Sequence, residues 1–440
     1  MNNKITFKLG LTAITALVKT GSPLGPLKVM ARQVGRFFQI PLPGFKPYVV
    51  FGPEANRKVL VTERSKVLWR NHDPVTELLR RGVLVTDGKE HDHYRKLMEP
   101  SLHPSRLDGY AQMMLTQTER VAAGWQDGQT VNMLVESRKI ALLIIMQALF
   151  SKDVWNDLPK IWTPILKAIE YISPGAWILW RKIPRPGFRK HLRVLDEYLY
   201  GIIEERRNRK NGHDLLQHLI DAGLDDDSIR DQMLTMLIAG HDTSTALLAW
   251  VFALLGGHLN IYRQLVAELG HDDRPPLLDQ VIKEALRLYP PIHIGNRMVA
   301  EEMQFEGGTV PAGSRMFYSI YLTQRDPSIW EDADDFCPAR FERGRKTPPF
   351  SYIPFGGGPR ACIGAAFGQA EARLVLAYLL KYFEFTPLNG DKIHPHMGAT
   401  LEPRPGVLMK VRRRSPTLPS LDFMHKCCQR LETLDSKSSK

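Results

Sequence analysis

The longest apolar signal in the chain runs from Asp225 to His258. It opens with Asp225, Asp226 and Asp227, acidic residues that suit a helix N-terminus. Met233–Ile238 and Ala246–Leu255 are apolar almost all round, the pattern of a helix buried through a core. Between them the pattern breaks at Ala239-Gly240-His241-Asp242-Thr243-Ser244. Polar groups inside a buried helix are costly unless they have partners or a task.

Around this helix the pattern predicts a mainly helical chain with a minor, scattered β component. Tyr48-Val49-Val50-Phe51 reads as β, and a helix follows over Pro53–Thr62. From Pro104 to Ile220 the period is mostly helical. A second clear helix covers Leu278–Leu288 and stops at Tyr289-Pro290-Pro291, where proline cannot continue it. Short strand-like pieces follow at Asn296–Val299, Gly308–Val310 and Ser314–Tyr318. Then come a loop-rich stretch over 325–364 and a last helix, Ala365–Phe383. The expected organisation is an N-terminal extension over 1–29, one domain over 30–414 and a polar tail over 415–440. No internal repeat is visible.

Composition changes this picture in three ways. The chain has 440 residues, of which 43% are hydrophobic, enough for a large core. Its formal net charge of +12 fits nucleic acid, an anionic membrane surface or an acidic protein as partner, or simple solvation of the surface. No nucleic-acid-binding motif is present, so nucleic acid is the least favoured of the three and is not expected as a partner. The 4 cysteines include no C-x-x-C spacing, which suggests neither a zinc site nor a disulfide framework. A thiol-reduced, cytoplasmic setting is expected.

At the N-terminus, the uncharged stretch Leu9–Val18 is ten residues long. A membrane-spanning helix needs about 20. Phe7, Leu11, Ile14 and Val18 nevertheless recur at helical spacing beside Lys4, Lys8 and Lys19. The readings are an amphipathic helix on a membrane surface or an ordinary helix packed on the body. A second stretch, Tyr171–Arg185, sets Trp177, Ile178, Leu179 and Trp180 beside Arg181, Lys182 and Arg185. It suits either a membrane interface or a lid packed on the core.

The candidate chemistry is concentrated in Phe355-Gly356-Gly357-Gly358-Pro359-Arg360-Ala361-Cys362-Ile363-Gly364. A lone cysteine sits on a glycine-rich loop just before a helix. The helix N-terminus and Arg360 both favour a thiolate. The glycines allow close backbone approach to a flat ligand, and Phe355 covers one side of the sulfur. A free core cysteine beside a turn is one alternative. A phosphate-cradling loop is another, although the Gly-Lys-Ser/Thr ending is missing.

The spacing Phe-x-x-Gly-x-Arg-x-Cys-x-Gly resembles the haem-binding signature of the cytochrome P450 family. Phe355, Gly358, Arg360, Cys362 and Gly364 match all its fixed positions. Five such matches arise by chance on the order of once in ten thousand sequences of this length. The resemblance implies a helical P450 fold with a long central helix over haem b, and Cys362 as the axial iron ligand. Glu284 and Arg287, with Arg340 of Phe336-Cys337-Pro338-Ala339-Arg340-Phe341, resemble the family's buried structural network. Ala239-Gly240-x-Asp242-Thr243 resembles its oxygen-activation motif. Gly240 and Thr243 would open or distort the helix there, and Thr243 and Asp242 would help deliver protons to dioxygen. His241 falls at a variable position and receives no role. His91, Arg95, Arg297 and Arg360 would bind the two haem carboxylates.

By the same resemblance, the substrate pocket would include Leu79, Val83, Leu237, Ala239, Ile292, His293 and Ile294, with Leu78, Leu84 and Met397 near it. An apolar lining implies an apolar substrate, lipid-, terpenoid- or aromatic-like. The implied reaction is monooxygenation, with oxidative coupling of phenols as a rival. A haem sensor has no use for the acid–alcohol pair. No flavin or nicotinamide module fits beside this domain, so electrons would come from a separate ferredoxin or flavodoxin. Such a partner would dock near Arg95 and Lys96.

Overall fold

In the computed structural model the described residues are 7–40, 44–69, 73–178, 183–209, 212–272 and 275–414. The tail with Cys427 and Cys428, Lys4, the segment Leu179–Lys182 and the side chains of Phe7 and Lys8 lie outside that description.

The architecture is mostly helical with small peripheral sheets, as the pattern predicts. The central helix is Asp226–Gly257, and the Asp225 carboxylate caps it by accepting from the Ser228 N–H at 2.7 Å. It packs on the apolar helix Met133–Phe150 and on Ala365–Tyr382. Gly240 has a steric reason for its place: a Cβ there would lie 2.6 Å from Cδ1 of Ile145. The expected opening of the helix at Gly240 and Thr243 does not occur. It runs unbroken, and the Thr243 hydroxyl donates to the Ala239 carbonyl at 2.7 Å. A single glycine costs a helix interior only about 1 kcal/mol, too little to break a helix of this length.

The largest sheet orders its strands Phe37–Gln39, Tyr48–Val50, Arg315–Ser319, Ile294–Val299 and Val67–Leu68. Tyr48–Val50 pairs parallel with Arg315–Ser319, and the other pairings are antiparallel. The strand Phe383–Pro387 takes the residue assigned above to the end of the last helix. Phe383 breaks off because its ring packs edge-on against Trp125 at 5.2 Å.

The helix Leu24–Val34 buries Leu24, Leu27 and Met30 against Phe38, Val49 and Tyr321. The domain boundary expected at residue 29 falls inside it. Before it, the helix Phe7–Thr20 leaves Leu11, Ile14, Leu17 and Val18 exposed. Among the described residues, one helix is long and apolar enough to cross a membrane. It is the central helix, already enclosed by protein.

The loop 325–364 is tied to the body by charge. Glu284 and Arg287 have no exposure and pair at 2.7 Å. Arg287 also donates to the carbonyls of Gln324, Ala333 and Asp335. Glu284 accepts from the Cys337 N–H at 2.9 Å and from Arg340 at 3.3 Å. Glu284→Gln keeps the shape but leaves two guanidiniums without their carboxylate. It is expected to cost about 3–5 kcal/mol in urea unfolding. A loss under about 1 kcal/mol would remove the network as the loop's anchor.

Candidate functional site

The loop before the last helix is set by its hydrogen bonds and glycines. The Cys362 N–H returns to the Phe355 carbonyl at 2.8 Å, and the Ala361 N–H to Gly358 at 2.9 Å. Gly358 has φ +64°, and a Cβ there would lie 2.3 Å from the Leu60 carbonyl oxygen. Only glycine fits that position. The turn delivers Cys362 three residues ahead of the helix Ala365–Tyr382.

Cys362 keeps accessible surface. Burial nonetheless pushes its thiol up, opposed by the Gly364 N–H and the Arg95 charge. The side chain is thus surrounded by protein while part of its own surface stays uncovered. The central helix offers a matching bare face. Its residues 231–238 are buried, yet Ala239 is exposed and Gly240 and Thr243 are partly so. The two walls are tied together by Ser244, whose hydroxyl donates to Glu371 at 2.6 Å. Glu371 lies only about 9 Å of helix rise beyond Ala365.

Cations gather at the edge of the Cys362 loop. Arg95 donates to the Ala361 carbonyl at 2.7 Å. Arg360 donates to the Thr86 carbonyl and pairs with Asp87 at 2.6 Å. Arg297 is buried, stacks over Trp69 at 5.0 Å and Tyr318 at 5.4 Å, and donates to the Asn296 carbonyl. Among the described residues neither Arg95 nor Arg297 has an ion-pair partner. Burial lowers the proton affinity of Arg360, Asp87 raises it and Arg297 lowers it again, so the guanidiniums repel one another. His91 is buried with Nδ1 2.9 Å from Asp92. Burial, with Arg360 and Arg95 behind it, lowers its pKa against the pull of Asp92. Under-neutralised guanidiniums beside a bare thiol and a bare helix face fit a flat, dianionic macrocycle held at a thiolate.

Asp242, beside Thr243, is sealed in. Thr400 donates to its Oδ2 at 2.8 Å, and Oδ1 has no partner. Burial first, then the Glu402 charge, pushes its pKa up to about 7. His241 is buried and held neutral, at about 3. The residues expected to line a pocket separate into two groups. Ala239, Ile292, Ile294 and Val83 retain surface, whereas Leu79 and Leu237 are sealed among core side chains. His293 is also buried, its pKa lowered to about 4.

The sequence reading missed Glu371, Thr400 and Glu402. Glu371 was findable as the lone acid in the apolar run of the last helix. Thr400 and Glu402 were not, because only the hairpin 394–404 brings them to Asp242.

Comparison with known proteins bears on the family and the fold. A family model described as cytochrome P450 matches residues 14–412. The chain is 29% identical to a cyclooctat-9-en-7-ol 5-monooxygenase of Streptomyces melanosporofaciens over 82% of this chain and 84% of the relative. It is 29% identical to a pentalenene oxygenase of Streptomyces avermitilis over 84% and 88%. Among solved structures, retinoic acid-bound cyanobacterial CYP120A1 aligns with TM-score 0.81 and 25% identity, over 90% of this chain and 96% of that one.

Glu371 gives a pH prediction. Burial pushes its carboxyl from 4.5 up to about 8, opposed only by Ser244. Across that window the folded state holds a proton that the unfolded state has lost, so this contribution is present at low pH and disappears as pH rises. Glu371→Gln does not titrate. The melting temperature of the variant minus that of the parent is expected to rise from pH 5 to pH 8, by on the order of a few kcal/mol in stability. A flat difference contradicts the assignment.

Proposed function

The chain belongs to the cytochrome P450 family, and from that premise we propose that this monooxygenase uses haem b to oxidise an apolar, terpenoid-like molecule. The carrying observation is the pairing of a bare Cys362 with the bare Ala239–Thr243 face of an otherwise buried helix. When bound there, haem supplies the redox chemistry that splits dioxygen with two electrons.

The chain's own residues do the rest. Cys362 ligates through its thiolate. Arg95, Arg297 and Arg360 neutralise the two carboxylates of the macrocycle, and His91 stands beside them. The Thr243 hydroxyl can leave the Ala239 carbonyl and donate toward the hollow. Asp242, half protonated near neutral pH, can hold a proton at Oδ1 and resupply it. Val83, Ile292 and Ile294 supply apolar surface that excludes water. Substrate class rests on this lining and on two relatives named for cyclooctat-9-en-7-ol and pentalenene. Electrons would come from a separate acidic ferredoxin or flavodoxin, drawn by the net charge of +12 to the side bearing Arg95 and the exposed Lys96. We place the enzyme in the cytoplasm, resting on a membrane surface through the Phe7–Thr20 helix. Leu11, Ile14 and Val18 share one face of it and are 58%, 60% and 79% exposed.

Incubation of the enzyme, a ferredoxin and its reductase with a panel of cyclic terpenes under labelled dioxygen tests the reaction. One labelled oxygen atom per product molecule is expected. Thr243→Ala should keep consuming reductant while product per electron falls about 10- to 100-fold. Unlabelled product, or undiminished yield from the variant, counts against the reading. For the membrane contact, Ile14→Ser with Val18→Ser should abolish flotation with anionic liposomes; flotation equal to the parent's removes the helix from that role.

A further inference from the structure

Asp242 lies on the central helix, but the charges that bear on it come from two other elements. One is the hairpin 394–404. Leu401 pins that hairpin through both of its backbone groups. Its N–H donates to the Pro291 carbonyl at 2.9 Å, and its carbonyl accepts from Nε1 of Trp250, on the central helix, at 2.8 Å. The Leu401 side chain is buried with Phe38, Val49 and Tyr321. Residues two apart share a face of an extended chain. Thr400, Glu402 and Arg404 therefore turn together to the face opposite Leu401.

Thr400 donates to Oδ2 of Asp242 at 2.8 Å. Oδ1 of Asp242 is buried and has no partner. Two residues on, Glu402 is only 4% exposed, and both of its oxygens are held. Oε1 accepts from Arg138, on the buried helix Met133–Phe150, and Oε2 pairs with Arg404 at 3.1 Å. Two guanidiniums thus fix one carboxylate beside another, in a place where the low dielectric makes charges act strongly on each other.

We propose that Glu402 is a positioning residue: clamped by Arg138 and Arg404 on the strand that carries Thr400 to Asp242, its fixed negative charge keeps a proton on Asp242. The catalytic consequence rests on Asp242 supplying that proton, as proposed above. Burial is the largest cause of the raised proton affinity of Asp242 and the Glu402 charge the second, while Thr400, Arg138 and Arg404 oppose them. Other titratable groups around Asp242 carry little free charge. His241, next in the chain, is neutral, and His396, opposite Glu402 in the hairpin, is held toward neutrality by burial and Arg404. Glu371, bonded to Ser244 of the central helix, has its own proton affinity raised by burial. Glu170 and Arg185 border the same hollow as Asp242, but Glu170 pairs with Lys167 at 2.7 Å and Arg185 stacks on the Tyr171 ring. Without Glu402, Arg138 and Arg404 would act on Asp242 unopposed and favour its anion.

The test follows the C=O stretch of the protonated Asp242 carboxyl by infrared spectroscopy through a pH titration of the haem-loaded enzyme. The spectrum of Asp242→Asn is subtracted to isolate it. In the parent the band should be half lost at about pH 7. In Glu402→Gln the midpoint should fall by about one unit or more. In Arg404→Gln it should rise. The Arg404 side chain is 43% exposed, and its replacement keeps the Arg138–Glu402 pair. Opposite shifts separate charge from packing, because a loosened hairpin admits water and lowers the midpoint in both variants. Circular dichroism confirms folding, and if Glu402→Gln does not fold, the rise in Arg404→Gln decides. In turnover under labelled dioxygen, product per electron should fall with rising pH at the band's midpoint in each folded protein. Midpoints that fall in both variants or match the parent's overturn the role of Glu402, as does a parent without the band at mildly acidic pH. The expected band shifts with an unaltered turnover profile uphold it and remove Asp242 as the proton donor.

Discussion

A carboxylate with no exposure, that of Glu284, fixes where the Cys362 loop can lie. It sits between Arg287 and Arg340 and also accepts the Cys337 N–H. Because a buried charge without its partner is far more costly than the pair, the long irregular segment 325–364 has few alternatives to its observed path. Arg287 extends the constraint by holding three carbonyls of that segment. Gly358, pressed on the Leu60 carbonyl, then narrows the turn to one conformation. Without these restraints a loop of this length would not hold one cysteine opposite one stretch of helix.

The opposite wall follows from a different balance. The central helix is buried almost throughout, so its few bare positions mark where protein packing stops. Thr243 satisfies its hydroxyl on its own helix, and burial raises the proton affinity of Asp242, to about 7, and of Glu371, to about 8. Proton-holding groups thus lie on and beside the central helix without carrying full charge. The guanidiniums of Arg95, Arg297 and Arg360 provide the compensating positive field on the side of the cysteine loop.

Much of this was legible in the residues. The central helix, its Asp225 cap and the cysteine loop all appear in the order of apolar, acidic and glycine positions. The Glu284, Arg287 and Arg340 network was legible only through the family resemblance, because an i, i+3 ion pair reads as solvated surface until the fold buries it. Leu79 and Leu237 show the limit of pattern reading. Periodicity says that a leucine is inside, and not whether its neighbours are protein or ligand. Thr400 and Glu402 were invisible for a topological reason, since they meet Asp242 across more than 150 residues of chain. The expected opening at Gly240 failed because the missing side chain serves packing on Ile145.

The most direct measurement is the carbon monoxide difference spectrum of the dithionite-reduced, haem-loaded protein, taken beside Cys362→Ala. A Soret band far to the red of that of a histidine-ligated haem, lost in the variant, is the expected result. A band at the histidine position in the well-folded parent, or no haem uptake by folded protein, would contradict Cys362 as the ligand.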